Sequence, residues 1–159
     1  MTPRAGGADG STQVPRGVRL GVDVGSVRVG VAISDPSGIL ATPVGTLARD
    51  VSGGKDLAEL AAMVAERSVV EVVIGLPRSM SGKAGAAVQI AREYGNALQA
   101  RIEGVPIVYV DERLTSVTAN RVLAERGVNS RNRRAIVDQV AAVEILQARL
   151  ETVGRVVSS

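Results

Sequence analysis

The stretch VRLGVDVGSVRVGVAIS, residues 18–34, decides the fold that we expect for this chain. It contains two short runs rich in β-branched residues, 18–23 and 28–34, with a Gly-Ser pair between them. Short runs of this kind around turn-forming residues are typical of an antiparallel hairpin. The first run ends on Asp23, so the hairpin also carries a carboxylate where an apolar strand stops.

The chain beyond the hairpin alternates between strand-like and helix-like patterns. A third strand is predicted within 39–47, and Pro43 favours an edge position for it. The later patterns predict, in order, helix 55–67, strand 69–76, helix 86–101, strand 105–110, helix 115–126 and helix 133–152. This order predicts an α/β fold whose five-stranded mixed sheet is flanked by helices. The first three strands are expected to be antiparallel, and the fourth and fifth to join the first in parallel.

The length of 159 residues suits one domain with a real core. We expect a disordered tail over 1–16, because this segment is rich in Gly, Pro and Ser, then a domain over 17–153 and a C-terminal tail over 154–159. The start of the chain lacks the apolar stretch of a secretory signal, and no run is long enough to span a membrane. These features predict a cytoplasmic protein without membrane partners.

Two missing residue types narrow the chemistry. The chain has no Cys and no His, which excludes Ser-His and Cys-His nucleophile systems and thiolate metal sites. Catalysis must therefore use carboxylates, Lys or Arg, Tyr, or a bound ion. Carboxylates and water suit hard cations such as Mg²⁺ or Mn²⁺.

Acidic residues in three places are the candidate catalytic groups and metal ligands. Asp23 ends a strand beside glycines, although the same residue type also stabilises hairpin turns. Asp111 and Glu112 follow the last strand directly, a usual ligand position in open α/β sheets and also a favourable place for acids before a helix. Because neighbouring residues on a strand point to opposite faces, only one of these two acids should face a site. The residues alone leave open which one it is.

Asp138 is the most informative of the acids. It lies inside the last predicted helix, on a face whose neighbours are mostly small and apolar. Burying a lone carboxylate there would be costly, so it needs an arginine partner, a hydrogen-bond network or a metal ion. A pair with Arg134, one turn earlier, is the structural alternative. Together with the strand-end acids, Asp138 could complete a site for one or two divalent cations, the arrangement used for phosphodiester hydrolysis.

A basic segment suggests the partner. Six arginines and a single acid, Glu125, lie between Arg113 and Arg134, so this part of a mildly basic chain could bind phosphates or could be a solvated helix flank and loop. Tyr94 and Tyr109 are the only aromatic residues, which favours recognition of backbone and shape over base stacking. We expect a structured nucleic acid to be contacted by Arg28, Arg78, Lys83, Arg113, Arg131, Arg133 and Arg134.

The sequence resembles the YqgF (RuvX) family of resolvase-like nucleases. The stretches that match are GVDVGSVRVGVAISD (21–35), VVIGLPRSMSGKAG (72–85), DERLTS (111–116) and DQVAAVEILQ (138–147). The resemblance implies a ribonuclease H-like fold and an endonuclease that matures the 5′ end of the 16S ribosomal RNA precursor, working in ribosome biogenesis with pre-ribosomal particles as a monomer or homodimer. It also implies that Asp23, Glu112 and Asp138 are catalytic residues that bind Mg²⁺ or Mn²⁺, with Asp111 as the other candidate acid. The chain departs from the family pattern at Val24, Arg78 and Gln139, and none of these changes removes an acid.

Other functions remain open at this point. A Holliday-junction resolvase acting on branched DNA in recombination and repair, or a non-catalytic RNA-binding ribosome-assembly factor, would keep the same acids and basic segment. The DxG motif at Asp23 also loosely matches the first phosphate loop of actin-like ATPases, but those proteins need two such domains. A P-loop is excluded because Pro77 stands where that motif requires a glycine. Magnesium-dependent strand cleavage would distinguish the enzymes from the binder.

Overall fold

The computed structural model describes residues 16–77, 85–112 and 131–158, with side chains in the last helix described from 138 to 154. The helix predicted over 115–126 lies outside these residues, as does nearly all of the N-terminal segment. None of the described helices combines the length and the apolar composition needed to cross a membrane.

Eight elements make up the described part of the chain, and they follow the predicted order. They are β1 (Arg19–Val24), β2 (Arg28–Ser34), β3 (Ala41–Ala48), α1 (Lys55–Glu66), β4 (Glu71–Leu76), α2 (Gly85–Gln99), β5 (Ile107–Asp111) and α3 (Arg131–Ser158). The largest difference in length is at α3, which is longer at both ends than the expected helix 133–152. It continues through 154–158, which the sequence analysis assigned to a C-terminal tail.

The five strands form one mixed sheet in the order β3-β2-β1-β4-β5. β1 pairs antiparallel with β2, and β2 with β3, whereas β4 is parallel to both β1 and β5. This is the predicted sheet. Pro43 lies on the edge strand β3, beside an irregularity in the pairing with β2 at Val31 and Ala32. An edge position and a bulge are the places where a strand tolerates a residue without an N–H donor.

Strand alternation gives the sheet two different faces. One face carries large aliphatic residues, such as Leu20 and Val22 of β1, and packs against α1 and α2. The other face carries small and charged residues and packs against α3 through Ala32, Val73 and the helix residues Ala141, Ala142, Ile145, Leu146 and Leu150. We call this second side the α3 face. Each candidate acid on or next to a strand therefore lies on the side of α1 and α2 or on the α3 face.

Gly30 shows how closely α3 approaches the sheet. A Cβ atom added at Gly30 would overlap the backbone carbonyl of Asp138, so this position in β2 has room only for a glycine. The helix backbone therefore lies directly on the strand at this point. The small residues that the sequence shows around Asp138 are explained by this contact, because large side chains would push the helix away from the sheet.

Candidate nuclease site

Asp23 lies near the end of β1 and is 2% exposed. Alternation puts it on the α3 face, because Gly21, two residues earlier, lies against Leu146 and Ala142 of that helix. Its partner in the β1–β2 register is Gly30, the residue beneath Asp138. Asp23 and Asp138 thus flank the same glycine, although 115 positions separate them in the chain.

Glu112 follows β5 and belongs to the α3 face as well. Its side chain is buried, at 2% exposure of the residue, and its Oε2 atom would come within 2.9 Å of a Cβ added at Gly75. Since Gly75 and the neighbouring Ile145 of α3 are also in contact range, Glu112 lies between the sheet and the helix. Asp111 has the same parity as Tyr109, which packs with the core on the opposite side. The geometry thus favours Glu112 over Asp111 as the acid that faces Asp138.

Asp138 has an arginine partner that the sequence did not suggest. The Nε atom of Arg28 donates a hydrogen bond of 2.9 Å to Oδ2 of Asp138, and the two side chains are 27% and 21% exposed. The partner comes from β2 rather than from the preceding turn of the helix. The side chain of Arg134, the expected alternative partner, lies outside the described residues. The ion pair places a predicted phosphate-binding residue directly on a predicted metal ligand.

A cleft of about 740 Å³ joins several of these groups. Glu112, Asp138 and Arg28 line it, and the buried Asp23 does not belong to its lining. The turn between β1 and β2 forms one wall, and Pro77 after β4 and two residues of α2 also contribute. In the described part of the chain, the other lining residues are Val24, Gly25, Ser26, Val27, Ala87 and Ile90. The cleft lies at the carboxyl ends of β1 and β4, the usual position of ligands in open α/β sheets.

The acids do not form a ready-made metal cluster. Among the residues that the structure describes, no group of three or more Asp or Glu side chains is close enough together to hold a metal ion. Asp23, Glu112 and Asp138 nevertheless share one face, and their oxygen-only donor chemistry fits Mg²⁺ or Mn²⁺. The arrangement brings two carboxylates and a guanidinium group to one cleft, with a third carboxylate buried on the same face.

Most of the residues predicted to contact nucleic acid have side chains outside the described part of the structure. Arg78, Lys83 and Arg113 lie outside the described residues. Three further arginines, at positions 131, 133 and 134, belong to the first turn of α3, and their side chains also lie outside the description. Arg28 is thus the predicted phosphate-binding residue whose surroundings are known, and these put it in the cleft.

Sequence reasoning missed a further buried carboxylate, Asp56, which lies near the cleft. Asp56 is 2% exposed and shares the buried stripe of α1 with Leu60 and Val64. It accepts a hydrogen bond from Tyr94 and lies near Arg49. The argument that singled out Asp138, a lone acid on an apolar helix face, applies equally to Asp56 and would have identified it.

Comparison with known proteins identifies relatives of this chain. A family model described as "RuvX: Holliday junction resolvase" matches residues 17–152. A protein of Frankia casuarinae named "Putative pre-16S rRNA nuclease" is 61% identical over 135 residues, which cover 85% of this chain and 67% of the relative. A protein of Mycobacterium ulcerans with the same name is 52% identical over 136 residues, covering 86% of this chain and 79% of the relative.

The fold has a structural counterpart too. RuvC of T. thermophilus, solved in complex with a Holliday junction substrate, superposes with a TM-score of 0.53 at 13% identity, covering 87% of this chain and 96% of RuvC. At that identity the similarity establishes the fold alone, and it confirms the ribonuclease H-like architecture. Together with the family match over residues 17–152, these findings show that the chain belongs to the RuvX (YqgF) family.

Proposed function

We propose that this chain is a metal-dependent endonuclease that hydrolyses phosphodiester bonds of structured nucleic acid. Its substrate is the precursor of 16S rRNA, processed in the cytoplasm during ribosome biogenesis on pre-ribosomal particles. The observation that carries the proposal is the cleft that Glu112, Asp138 and Arg28 line together. Carboxylates can hold cations and a guanidinium group can bind phosphate, so one cleft contains both requirements of phosphodiester hydrolysis. The names of the relatives support the ribosomal substrate.

Asp23, Glu112 and Asp138 are the residues that would hold Mg²⁺ or Mn²⁺. When bound, such a cation lowers the pKa of a coordinated water and stabilises negative charge on phosphate oxygens. The protein's own groups supply the rest of the site. Glu112 and Asp23 are held between sheet and helix, which limits their motion, and Arg28 neutralises Asp138. Arg28 is long and partly exposed, so it can turn from Asp138 towards a phosphate of the substrate.

Binding of the nucleic acid is proposed to depend on its backbone and shape. Arg28 lies in the cleft, and we expect Arg78, Lys83, Arg113 and the arginines at 131, 133 and 134 to supply further phosphate contacts. Because phosphate contacts carry no sequence information, the shape of a folded RNA or branched DNA provides the selectivity. A monomer with one cleft or a homodimer with two is compatible with this mode of binding.

Cleavage of defined substrates tests the proposal. A precursor 16S rRNA fragment, an unrelated RNA hairpin and a four-way DNA junction are incubated with wild type and Asp23→Asn, in Mg²⁺, Mn²⁺ or chelator. We expect the wild type to cut the precursor fragment only with a cation. Asp23→Asn, which removes a ligand charge with little change of shape, should abolish cutting while the protein stays folded. Cleavage by Asp23→Asn at the wild-type rate would refute the assignment of this acid.

The same experiment separates the other two functions. The family description, and the Holliday junction bound by RuvC, favour a resolvase as the second candidate. Preferential cutting of the four-way junction, with paired symmetric nicks, would select that function. Tight binding of RNA without cutting in either cation would select the assembly factor and reject both nucleases.

A further inference from the structure

The turn between β1 and β2, residues 25–27, is hydrogen-bonded to Arg49, the residue that follows β3. An Nη atom of Arg49 donates a hydrogen bond of 2.7 Å to the carbonyl oxygen of Gly25. The backbone N–H of Arg49 donates another, of 2.9 Å, to the carbonyl oxygen of Val27. One residue therefore fixes two successive parts of the turn that forms a wall of the cleft.

Arg49 is itself held by two buried side chains. Its Nε atom lies 3.9 Å from Oδ2 of Asp56, and its guanidinium carbon lies 5.2 Å from the centre of the Tyr94 ring. Tyr94 donates a hydrogen bond of 2.8 Å to the same Oδ2 atom, and the backbone N–H of Asp50 donates to Oδ1. Burial, together with the bond to Asp56, raises the pKa of Tyr94 well above its usual value, so it remains a hydrogen-bond donor.

This network restricts the orientation of the Arg49 side chain more than apolar packing would. Burying Asp56 without partners would be costly, and an aliphatic residue would fill the same space without that penalty. A planar guanidinium group between a carboxylate and an aromatic ring, in contrast, has few orientations available. One of its Nη atoms is thereby directed at the carbonyl oxygen of Gly25.

Two further bonds connect the turn to the acids of the cleft. The N–H of Gly25 donates to the carbonyl of Arg28 over 2.9 Å, which closes the turn. The Nε atom of Arg28 then pairs with Asp138 of α3, also at 2.9 Å. A displacement of the turn would move Arg28 and the end of β1, where Asp23 lies.

Arg49 is poorly suited to bind the substrate directly. It lines a second, smaller cleft of about 440 Å³, next to the first, which also contains the acids Asp50, Asp56 and Glu93. Negative charges around this opening disfavour a phosphate group. The Arg49 side chain is only 15% exposed, and the contacts described above already use its guanidinium group.

We propose that Arg49, oriented by Asp56 and Tyr94, is a positioning residue that sets the turn 25–27 and thereby the Arg28–Asp138 pair. Its effect on cleavage rests on the function proposed above, whereas its effect on the Arg28–Asp138 pair does not. A misplacement of about 1 Å in a catalytic arrangement can lower a rate by about 100-fold. The residue should therefore affect turnover more than substrate binding.

The test compares Arg49→Met with Arg49→Lys and with a matched control. Methionine keeps length and removes the donors, lysine restores a charged donor, and Arg92→Met removes a guanidinium group that lies 4.9 Å from the other tyrosine ring, Tyr109, outside this network. We expect Arg49→Met to lower kcat by about 10- to 100-fold with KM changed by less than about threefold. Arg49→Lys should recover most of the loss, and Arg92→Met should stay within about twofold of wild type.

A second readout is independent of activity. The Nε–H resonance of Arg28, followed by ¹⁵N NMR, reports its bond to Asp138 and should shift and exchange faster with water in Arg49→Met. If Arg49→Met does not fold, Tyr94→Phe, which removes only the hydroxyl group, should give a smaller shift of the same kind. An unchanged Arg28 resonance, or a rise in KM with kcat intact, would overturn the proposal. Should the wild type cut no nucleic acid at all, the proposed function fails, and the Arg28 resonance still decides the role of Arg49.

Discussion

The two ends of the interface between α3 and the sheet both contain charged side chains, but in opposite proportions. At the amino end of β1, one acid, Glu71, is held by two arginines. Arg19 donates to it at 2.9 Å, and Arg149 of α3 donates to both of its carboxylate oxygens at 2.8 Å. We call these three residues the brace. At the carboxyl end of β1, three acids share the face with Arg28: Asp23, Glu112 and Asp138.

The Arg19–Glu71 pair at one end and the Arg28–Asp138 pair at the other also differ in exposure. In the brace, the side chains of Arg19 and Glu71 are 1% and 8% exposed. Burial raises the pKa of Glu71, but hydrogen bonds and charges from Arg149 and Arg19 outweigh it, so the pKa lies below its usual value. The Arg28–Asp138 pair, in contrast, is open to water. The buried Arg19–Glu71 pair stabilises the fold, whereas the partly exposed Arg28–Asp138 pair can exchange partners, as a binding site requires.

The largest expected effect concerns the choice between two neighbouring acids at the cleft end. We expect Glu112→Gln to reduce cleavage by about 1,000-fold, since losing a metal ligand removes several kcal/mol of transition-state stabilisation. Asp111→Asn is the matched control, because its side chain has the parity of the opposite face, and it should cost less than about tenfold. Single-turnover rates on one substrate measure both. Equal losses would mean that both acids take part.

The second-largest expected effect is a loss of unfolding free energy, without a loss of activity, when the brace is broken. Glu71→Gln leaves the buried guanidinium of Arg19 without its charged partner, which should cost about 3 kcal/mol of unfolding free energy. Glu66→Gln, at an exposed position of α1, is the control and should change little. Urea unfolding measures both, and cleavage per folded molecule should be unchanged. A normal stability with reduced cleavage would reverse the roles that we assign to the two ends.

The lowered pKa of Glu71 also predicts how the difference in unfolding free energy between wild type and Glu71→Gln depends on pH. The folded protein favours the ionised carboxylate of Glu71 more than the unfolded chain does. The stabilisation from this carboxylate is therefore fully present above the unfolded-state pKa, about 4.3. It is lost as the pH falls through the lower folded-state pKa. Wild type and Glu71→Gln should therefore differ most near neutrality and converge in acid. A gap that stays constant down to the acid limit would contradict the ionised brace.

The smallest effect concerns Arg28. Because its pair with Asp138 is partly exposed, Arg28→Ala should destabilise the metal-free protein by only about 0.2–1 kcal/mol. The same change frees the Asp138 carboxylate, so Mg²⁺ should raise the melting temperature at a lower concentration than in wild type. Thermal melts in chelator and along a Mg²⁺ titration measure both quantities, with Arg67→Ala at an exposed position as the control. A higher Mg²⁺ requirement in Arg28→Ala would mean that Arg28 helps to build the cation site.

Much of the fold was predictable from local patterns. Two β-branched runs around a Gly-Ser pair predicted the β1–β2 hairpin, and Pro43 predicted the edge position of β3. Both inferences depend on properties of a few adjacent residues, namely alternation and the missing N–H of proline. The length of α3 was less accessible, because the helix continues through Gly154, a residue type that commonly marks a helix end.

The candidate site was predictable to a smaller extent. Positions at strand ends singled out Asp23 and the pair Asp111 and Glu112, and an apolar helix face singled out Asp138. Their metal-binding role stays a prediction. A pair with the nearby Arg134 was the structural alternative for Asp138, and the side chain of Arg134 lies outside the described residues. The partner that the structure shows for Asp138 is Arg28, which lies 110 positions away. The network of Arg49, Asp56 and Tyr94 also went unrecognised, since its members come from three separate elements.

The sequence by itself determined the elements, their order, the face on which each strand residue lies and the chemistry available without Cys or His. These follow from backbone periodicity and residue type, which act over a few positions of the chain. Only the tertiary structure decided which charged groups meet. The close approach of α3 over Gly30 brings Asp138 to Arg28 and to the strand that carries Asp23. Such meetings depend on how distant segments pack, because packing brings a charged side chain within reach of partners that lie far from it in the sequence.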